Sequence, residues 1–160
     1  MKPIIYFTTL LFSISVTAQA TLSLSDFQVL DNTEWKGTLT YINYSDGQEV
    51  SLRTTMQVTL KGGQIVMQIN YTDEPSANST SKIAIRKGGR YFGTEEVIEK
   101  IYLENGLKFV TRYEGSDNNK KATMFKTYTF NTNTLSIAKK VVYKKSEESL
   151  IRNKYSYVKI

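Results

Sequence analysis

From Trp35 onward, apolar and polar residues alternate with a period of two, which is what strands burying one face require. Trp35, Gly37, Leu39 and Tyr41 alternate with Lys36, Thr38 and Thr40, and Asp46-Gly47 then marks a hairpin turn. A second run sets Val50, Leu52, Thr54, Met56, Val58 and Leu60 against Glu49, Ser51, Arg53 and Gln57, and stops at Lys61-Gly62-Gly63. Ile65, Met67, Ile69 and Tyr71 form a third strand before a turn at Asp73-Glu74-Pro75-Ser76, and Ile83 and Ile85 mark a fourth before Gly88-Gly89. Weaker strand signals lie at Tyr91 to Thr94 and Val97 to Leu103, and Asn105-Gly106 leads into Phe109 to Tyr113. Ala122 to Phe130, Leu135 to Tyr143 and Ile151 to Val158 supply the rest. Ahead of all of them, Ser25 is expected to N-cap one helical turn ending at Leu30.

Eight to ten strands joined by short turns predict an all-β fold, an antiparallel up-and-down β-barrel with a short N-terminal helical turn. No helical periodicity, repeat or linker interrupts the pattern, so residues 21–160 are expected to be one domain. A transmembrane barrel would need an apolar outer band, whereas the faces opposite the apolar ones carry Lys36, Arg53, Gln57, Gln68, Lys82 and Arg86.

Residues 1–20 carry Lys2, an apolar run from Ile4 to about Val16, and then Thr17, Ala18, Gln19 and Ala20. That is the pattern of a secretory signal, with processing expected before Gln19 or Thr21. The apolar run is short of the ~20 residues that span a bilayer, and without cysteine there is no lipoprotein anchor. The expected location is therefore periplasmic or secreted, as a soluble protein with no transmembrane segment after signal removal.

Composition narrows the chemistry further. The chain has no histidine and no cysteine, which removes Ser-His-Asp and Cys-His nucleophiles, the usual zinc sites, His- or Cys-ligated haem and disulfides. No metal, no cofactor and no enzymatic activity are expected. The net charge of +6 is dispersed, which argues against nucleic acid as a partner. Most acidic residues, Asp46, Asp73, Glu74, Glu104, Glu114, Asp117, Glu147 and Glu148, fall in expected turns, where they serve solubility. Glu95, Glu96 and Glu99 form the one acidic cluster within strands, and they are expected to be solvated.

Two segments carry a family resemblance. Glu34-Trp35-Lys36-Gly37 after a short N-terminal turn, and the closing pair Lys139 to Lys145 and Arg152 to Lys159, resemble the lipocalin and calycin superfamily, in particular small bacterial lipocalin-like and nitrobindin-like barrels. The resemblance implies a calyx holding a small apolar or amphipathic molecule. The haem activity of nitrobindin-like proteins is not implied, because the chain lacks the histidine. Period-two alternation puts Arg152 on the strand face opposite Tyr155.

The expected ligand-binding residues are Tyr41, Met56, Met67, Tyr71, Lys126, Tyr128, Lys139, Tyr143 and Tyr155. Tyrosines on inner faces point to a wet interior, since a buried hydroxyl needs a partner that a dry core lacks. With two or four residues in the turn after Phe130, Lys126 falls opposite Lys139, and an anion such as a ligand carboxylate would offset two facing cations. The alternative function is a structural or adhesive envelope module with a filled barrel. Antiparallel closure also puts Lys159 beside Trp35, where a cation–π contact is expected.

Overall fold

The computed structural model describes residues 19–160, so all but the last two residues of the expected signal lie outside the described residues. Ten antiparallel strands close into one up-and-down barrel: β1 (Thr33–Ile42), β2 (Glu49–Lys61), β3 (Gln64–Tyr71), β4 (Ser79–Arg86), β5 (Tyr91–Phe92), β6 (Glu95–Leu103), β7 (Gly106–Asp117), β8 (Lys120–Asn131), β9 (Thr134–Tyr143) and β10 (Ser149–Lys159). Each strand pairs with its sequence neighbours, and β1 and β10 seal the ring. The tightest point of that seal is Gly37, where a Cβ would meet the Ser156 carbonyl oxygen at 1.9 Å. Only glycine lets β1 and β10 approach this closely.

A seven-residue 3-10 helix, Leu24–Leu30, plugs one end. Its N-cap is Ser23, not Ser25. The Ser23 amide donates to the Asp26 carboxylate at 2.7 Å, and Ser25 sits inside the helix with its Oγ 2.8 Å from that of Ser23. Phe27 and Leu30 on the opposite side of the helix are fully buried, each contributing on the order of 1.5–3 kcal/mol. The Phe27 ring stacks on Phe92 at 5.5 Å and meets Phe109 and Phe130 at 5.7 Å. Lys100 of β6 locks the plug by donating to Asp26 at 2.7 Å, and the two side chains are 12% and 6% exposed. Burial works against the charged Asp26, but the hydrogen bonds from Lys100 and Ser23 outweigh it and hold the carboxyl below its usual range.

Trp35 lies in this core with no exposed surface, and Lys159 pairs with it in register, yet the expected cation–π contact does not form. Lys159 is exposed, and the lysine and arginine contacts to aromatic rings fall on Tyr44, Tyr91, Tyr102, Tyr113 and Tyr143. The indole is satisfied from its own strand instead: Nε1–H donates to Thr33 Oγ1 at 2.7 Å, and Thr33 donates to the Leu30 carbonyl at 2.6 Å.

Across the sheet, inward residues form rows of direct neighbours. Leu39, Tyr155, Ile137, Tyr128 and Phe109 make an apolar and aromatic row above the plug. The next row is Tyr41, Asn153, Lys139, Lys126, Thr111 and Val97. Beyond it come Leu150, Val141, Met124 and Tyr113, part of a second, smaller apolar cluster with Ala122 and Tyr143. A polar belt is thus held between two apolar clusters.

Three irregularities shape what the barrel presents inward. Register shifts fall between Val97 and Glu99 on β6 and between Ile151 and Asn153 on β10. Each reverses which side chains face in. The third irregularity is the shortness of β5. It pairs with β4 only at Ile85 and Arg86, and with β6 only at Glu95 and Glu96. Ser79 to Ile83 of β4 have a strand partner on the β3 side alone, and β7 beyond Arg112 pairs with β8 alone. The wall is therefore open between the upper parts of β4 and β7.

Candidate functional site

A cavity of about 400 Å3 occupies this opening, bordered by Ser81 and Ile83 of β4, Phe92 of β5, Glu95 of β6, and Lys126 and Tyr128 of β8. Glu95 is its electrostatic centre. One carboxylate oxygen accepts from Lys126 Nζ at 2.5 Å and the other from Thr111 Oγ1 at 2.6 Å, while Lys126 also lies 5.3 Å from the centre of the Tyr113 ring. The Glu95 side chain is 14% exposed and that of Lys126 is 29% exposed, so the pair meets solvent through the cavity.

The expected register across the β8–β9 hairpin holds: Phe130 pairs with Leu135, Tyr128 with Ile137 and Lys126 with Lys139. The compensation for Lys126 is internal, however. Its counter-charge is Glu95, which the sequence reading had placed among solvated carboxylates. Glu96 and Glu99 do face outward, paired with Arg112 at 2.6 Å and Lys108 at 2.8 Å. Lys139 has no ion-pair partner among the described residues. No buried side-chain nitrogen or oxygen among them lacks a hydrogen-bond partner, so the Lys139 ammonium keeps contact with solvent.

The remaining expected residues divide between five places. Met56 and Met67 are packed in the plugged core, with 0% and 6% exposure, and line no part of the cavity. Tyr71 and Tyr155 meet hydroxyl to hydroxyl at 2.6 Å, a partly buried pair on the inner wall. Burial and then the bond to Tyr71 push the Tyr155 phenol far up, and burial pushes Tyr157 up to about 12. Tyr41 is half-buried in the polar belt beside Asn153. Tyr128 is 7% exposed and borders the cavity; burial, and then the charge of Glu95, keep its hydroxyl strongly protonated.

Tyr143 belongs elsewhere, to a hub at the end opposite the plug. Asp117, 2% exposed, accepts from Tyr143 and Tyr44 at 2.6 Å each and from Arg152 Nη2 at 2.5 Å. Arg152 also donates to the Ile42 carbonyl at 3.2 Å and stacks 4.1 Å from the centre of the Tyr44 ring. Burial works against the Asp117 charge, but the bonds from Arg152, Tyr143 and Tyr44 hold its carboxyl below the usual range. The hub ties the ends of β1, β7, β9 and β10 together. Arg152 and Asp117 correct the sequence reading twice. The β10 bulge turns Arg152 inward, to 8% exposure, and Asp117 is a buried acceptor and not a solubilising turn residue.

A larger hollow of about 730 Å3 lies outside the barrel at the tips of the β7–β8 and β9–β10 hairpins, lined by Lys120, Lys121, Lys144, Lys145 and Glu148. Lys144 there is paired with Glu114 at 2.7 Å. Among the described residues no group of three or more carboxylates, histidines or cysteines could hold a metal ion, and no helix is long and apolar enough to cross a membrane. Neither a protein-family model nor a curated protein sequence matches this chain.

Proposed function

We propose that this protein is an exported, lipocalin-like barrel that binds a small amphipathic molecule, its anionic head at the Lys126–Lys139 pair and its apolar part over Ile83 and Phe92, without covalent chemistry. The observation that carries this reading is Lys126 at the cavity wall, with Lys139 directly across the sheet from it and a single internal carboxylate, Glu95, paired with Lys126. A single carboxylate on the ligand completes the neutralisation that Glu95 begins. The apolar row beneath supplies a floor, and the opening beside β5 supplies a route that requires neither end of the barrel to move.

Calorimetric titration with decanoate and decanol tests this directly. Decanoate is expected to bind and decanol to bind far more weakly. Lys126→Met and Lys139→Met are each expected to weaken decanoate by roughly 10–100-fold, the yield of a charge-assisted hydrogen bond, with the fold intact by circular dichroism. If decanoate does not bind, the reading fails and the barrel is a filled structural module. If both lysines react with acylating reagents as fast as free lysine, with or without decanoate, they take no part in a site.

A further inference from the structure

We propose that the preferred ligand of the wall cavity is an apolar α-amido carboxylate, R–CO–NH–CHR′–COO−, whose amide is held by the unpaired edge of β4. This is the chemistry shared by N-acyl amino acids and the C-termini of apolar peptides. The inference rests on the carboxylate-binding reading above and narrows its ligand class.

Three features converge on one cavity. The first is an anion anchor. Lys126 and Tyr128 alternate on the inner face of β8, and Tyr128, though more than nine-tenths buried, makes no hydrogen bond to another described residue. Since no buried polar side-chain atom goes unpartnered, its hydroxyl is open to the cavity and available to donate. Three cations, Lys82, Arg86 and Lys126, border the cavity against the single carboxylate of Glu95, which fits an anionic guest.

The second feature is backbone. The Gly93 amide donates to the Ala84 carbonyl at 2.9 Å, which fixes the direction of the β4 peptide groups. Successive residues of a strand direct their N–H and C=O to opposite neighbours, so Lys82 and Thr80 also point toward the cleft, where no strand meets them. A trans amide directs its C=O and N–H to opposite sides, so a ligand amide laid along this edge can accept from the Lys82 N–H while its own N–H turns away. A plain fatty acid leaves that N–H to water.

The third feature is a place for the side chain R′. Ile83 is half-buried and Phe92 is 2% exposed, both at the cavity wall. Carboxylate anchor, amide edge and apolar seat border one 400 Å3 space, sufficient for a small acylated residue.

The test compares, by calorimetric titration of the whole protein, N-octanoyl-leucine with its ester-linked counterpart, the octanoate ester of 2-hydroxy-4-methylpentanoic acid, and with decanoate. The amide is expected to bind roughly tenfold tighter than the ester, because an amide carbonyl is the stronger acceptor for the one hydrogen bond from the Lys82 N–H. Lys82→Pro deletes the cleft-facing N–H but no bond to β3, and should abolish that difference, whereas Lys82→Ala should keep it. Equal binding of amide and ester, with decanoate still bound, overturns this inference and leaves the carboxylate reading standing. A preference that survives Lys82→Pro overturns it as well, and binding of none of the three overturns both readings. Should Lys82→Pro not fold, the amide-against-ester comparison in the native protein decides. An acetylated tripeptide ending in Ala-Leu, free or amidated at its C-terminus, separates the two sources. Tighter binding of the free-acid peptide than of N-octanoyl-leucine points to a chain terminus, and the reverse points to a free acyl amino acid; both support the shared chemistry.

Discussion

Below the polar belt, Phe27, Phe92, Phe109 and Phe130 meet at 5.2–5.7 Å, and the cavity beside Phe27, Leu30, Tyr128 and Phe130 holds only about 10 Å3. Beside the belt, on the same strands and under the same alternation, Glu95, Lys126 and Tyr128 border about 400 Å3. Along β7, β8 and β9 the two regions share an unbroken strand pairing. They differ in what closes them. The lower half is filled by a helix that the chain supplies before its first strand, and the region beside the belt lacks a wall because β5 stops after two residues. A barrel of one topology can therefore be dry at one level and open at another, and the difference lies in its shortest elements.

Removing the filler should break the comparison most strongly. Phe27→Ala is expected to cost about 3–5 kcal/mol in chemical denaturation, since a void among three aromatic rings has nothing to collapse into it. An effect below about 1 kcal/mol would mean that the plug is not what makes the lower half dry.

The hub at the other end comes next. Arg152→Ala strands the Asp117 carboxylate, 1% exposed in its side chain, and should cost about 3 kcal/mol, at the lower end for a broken buried pair because the Tyr44 and Tyr143 hydroxyls remain.

Acid sharpens the same point. Asp117 and Asp26 both have folded-state pKa values below their unfolded ones, so their stabilisation is full above about pH 4 and is lost as pH falls through the folded values. Asp117→Asn should therefore flatten the loss of stability seen as pH falls below about 4, and Asp26→Asn should flatten it further. A stability profile unchanged by both substitutions would contradict the assignment.

The strands themselves were legible because alternation and turn chemistry agree from Trp35 to Val158, and the β8–β9 register followed from the length of a single turn. Half of the site was not legible. A period-two reading carries one parity through a strand, and the bulges on β6 and β10 break it, so Arg152 was assigned to the wrong face and the depth of Glu95 was missed. A trace was present: the apolar positions of β10 change parity between Leu150 and Tyr155. The hub left no such trace. Asp117 binds residues 73 positions before it and 26 and 35 after it, distances over which no local pattern is written.

Smaller effects bear on the belt and the core. Lys139→Met is expected to change stability by less than about 1 kcal/mol, because its ammonium already reaches solvent and no partner is stranded. A large loss would place that lysine in the structural framework. Trp35→Phe should cost about 1 kcal/mol through the bond to Thr33, with the ring position retained, and urea titration at constant m-value would register it.

The shortness of β5 also bears on how this chain avoids its own copies. An unpaired strand edge is a template for intermolecular sheet growth, and β4 presents one from Ser79 to Ile83. Its exposed residues, Ser79-Thr80-Ser81-Lys82, are few, polar and end on a cation, the composition that discourages two like edges from zipping together. An antiparallel β4–β4 pairing centred on residue 82 would oppose two Lys82 side chains, so resistance to self-association at high concentration leans on that side chain and weakens as salt screens its charge.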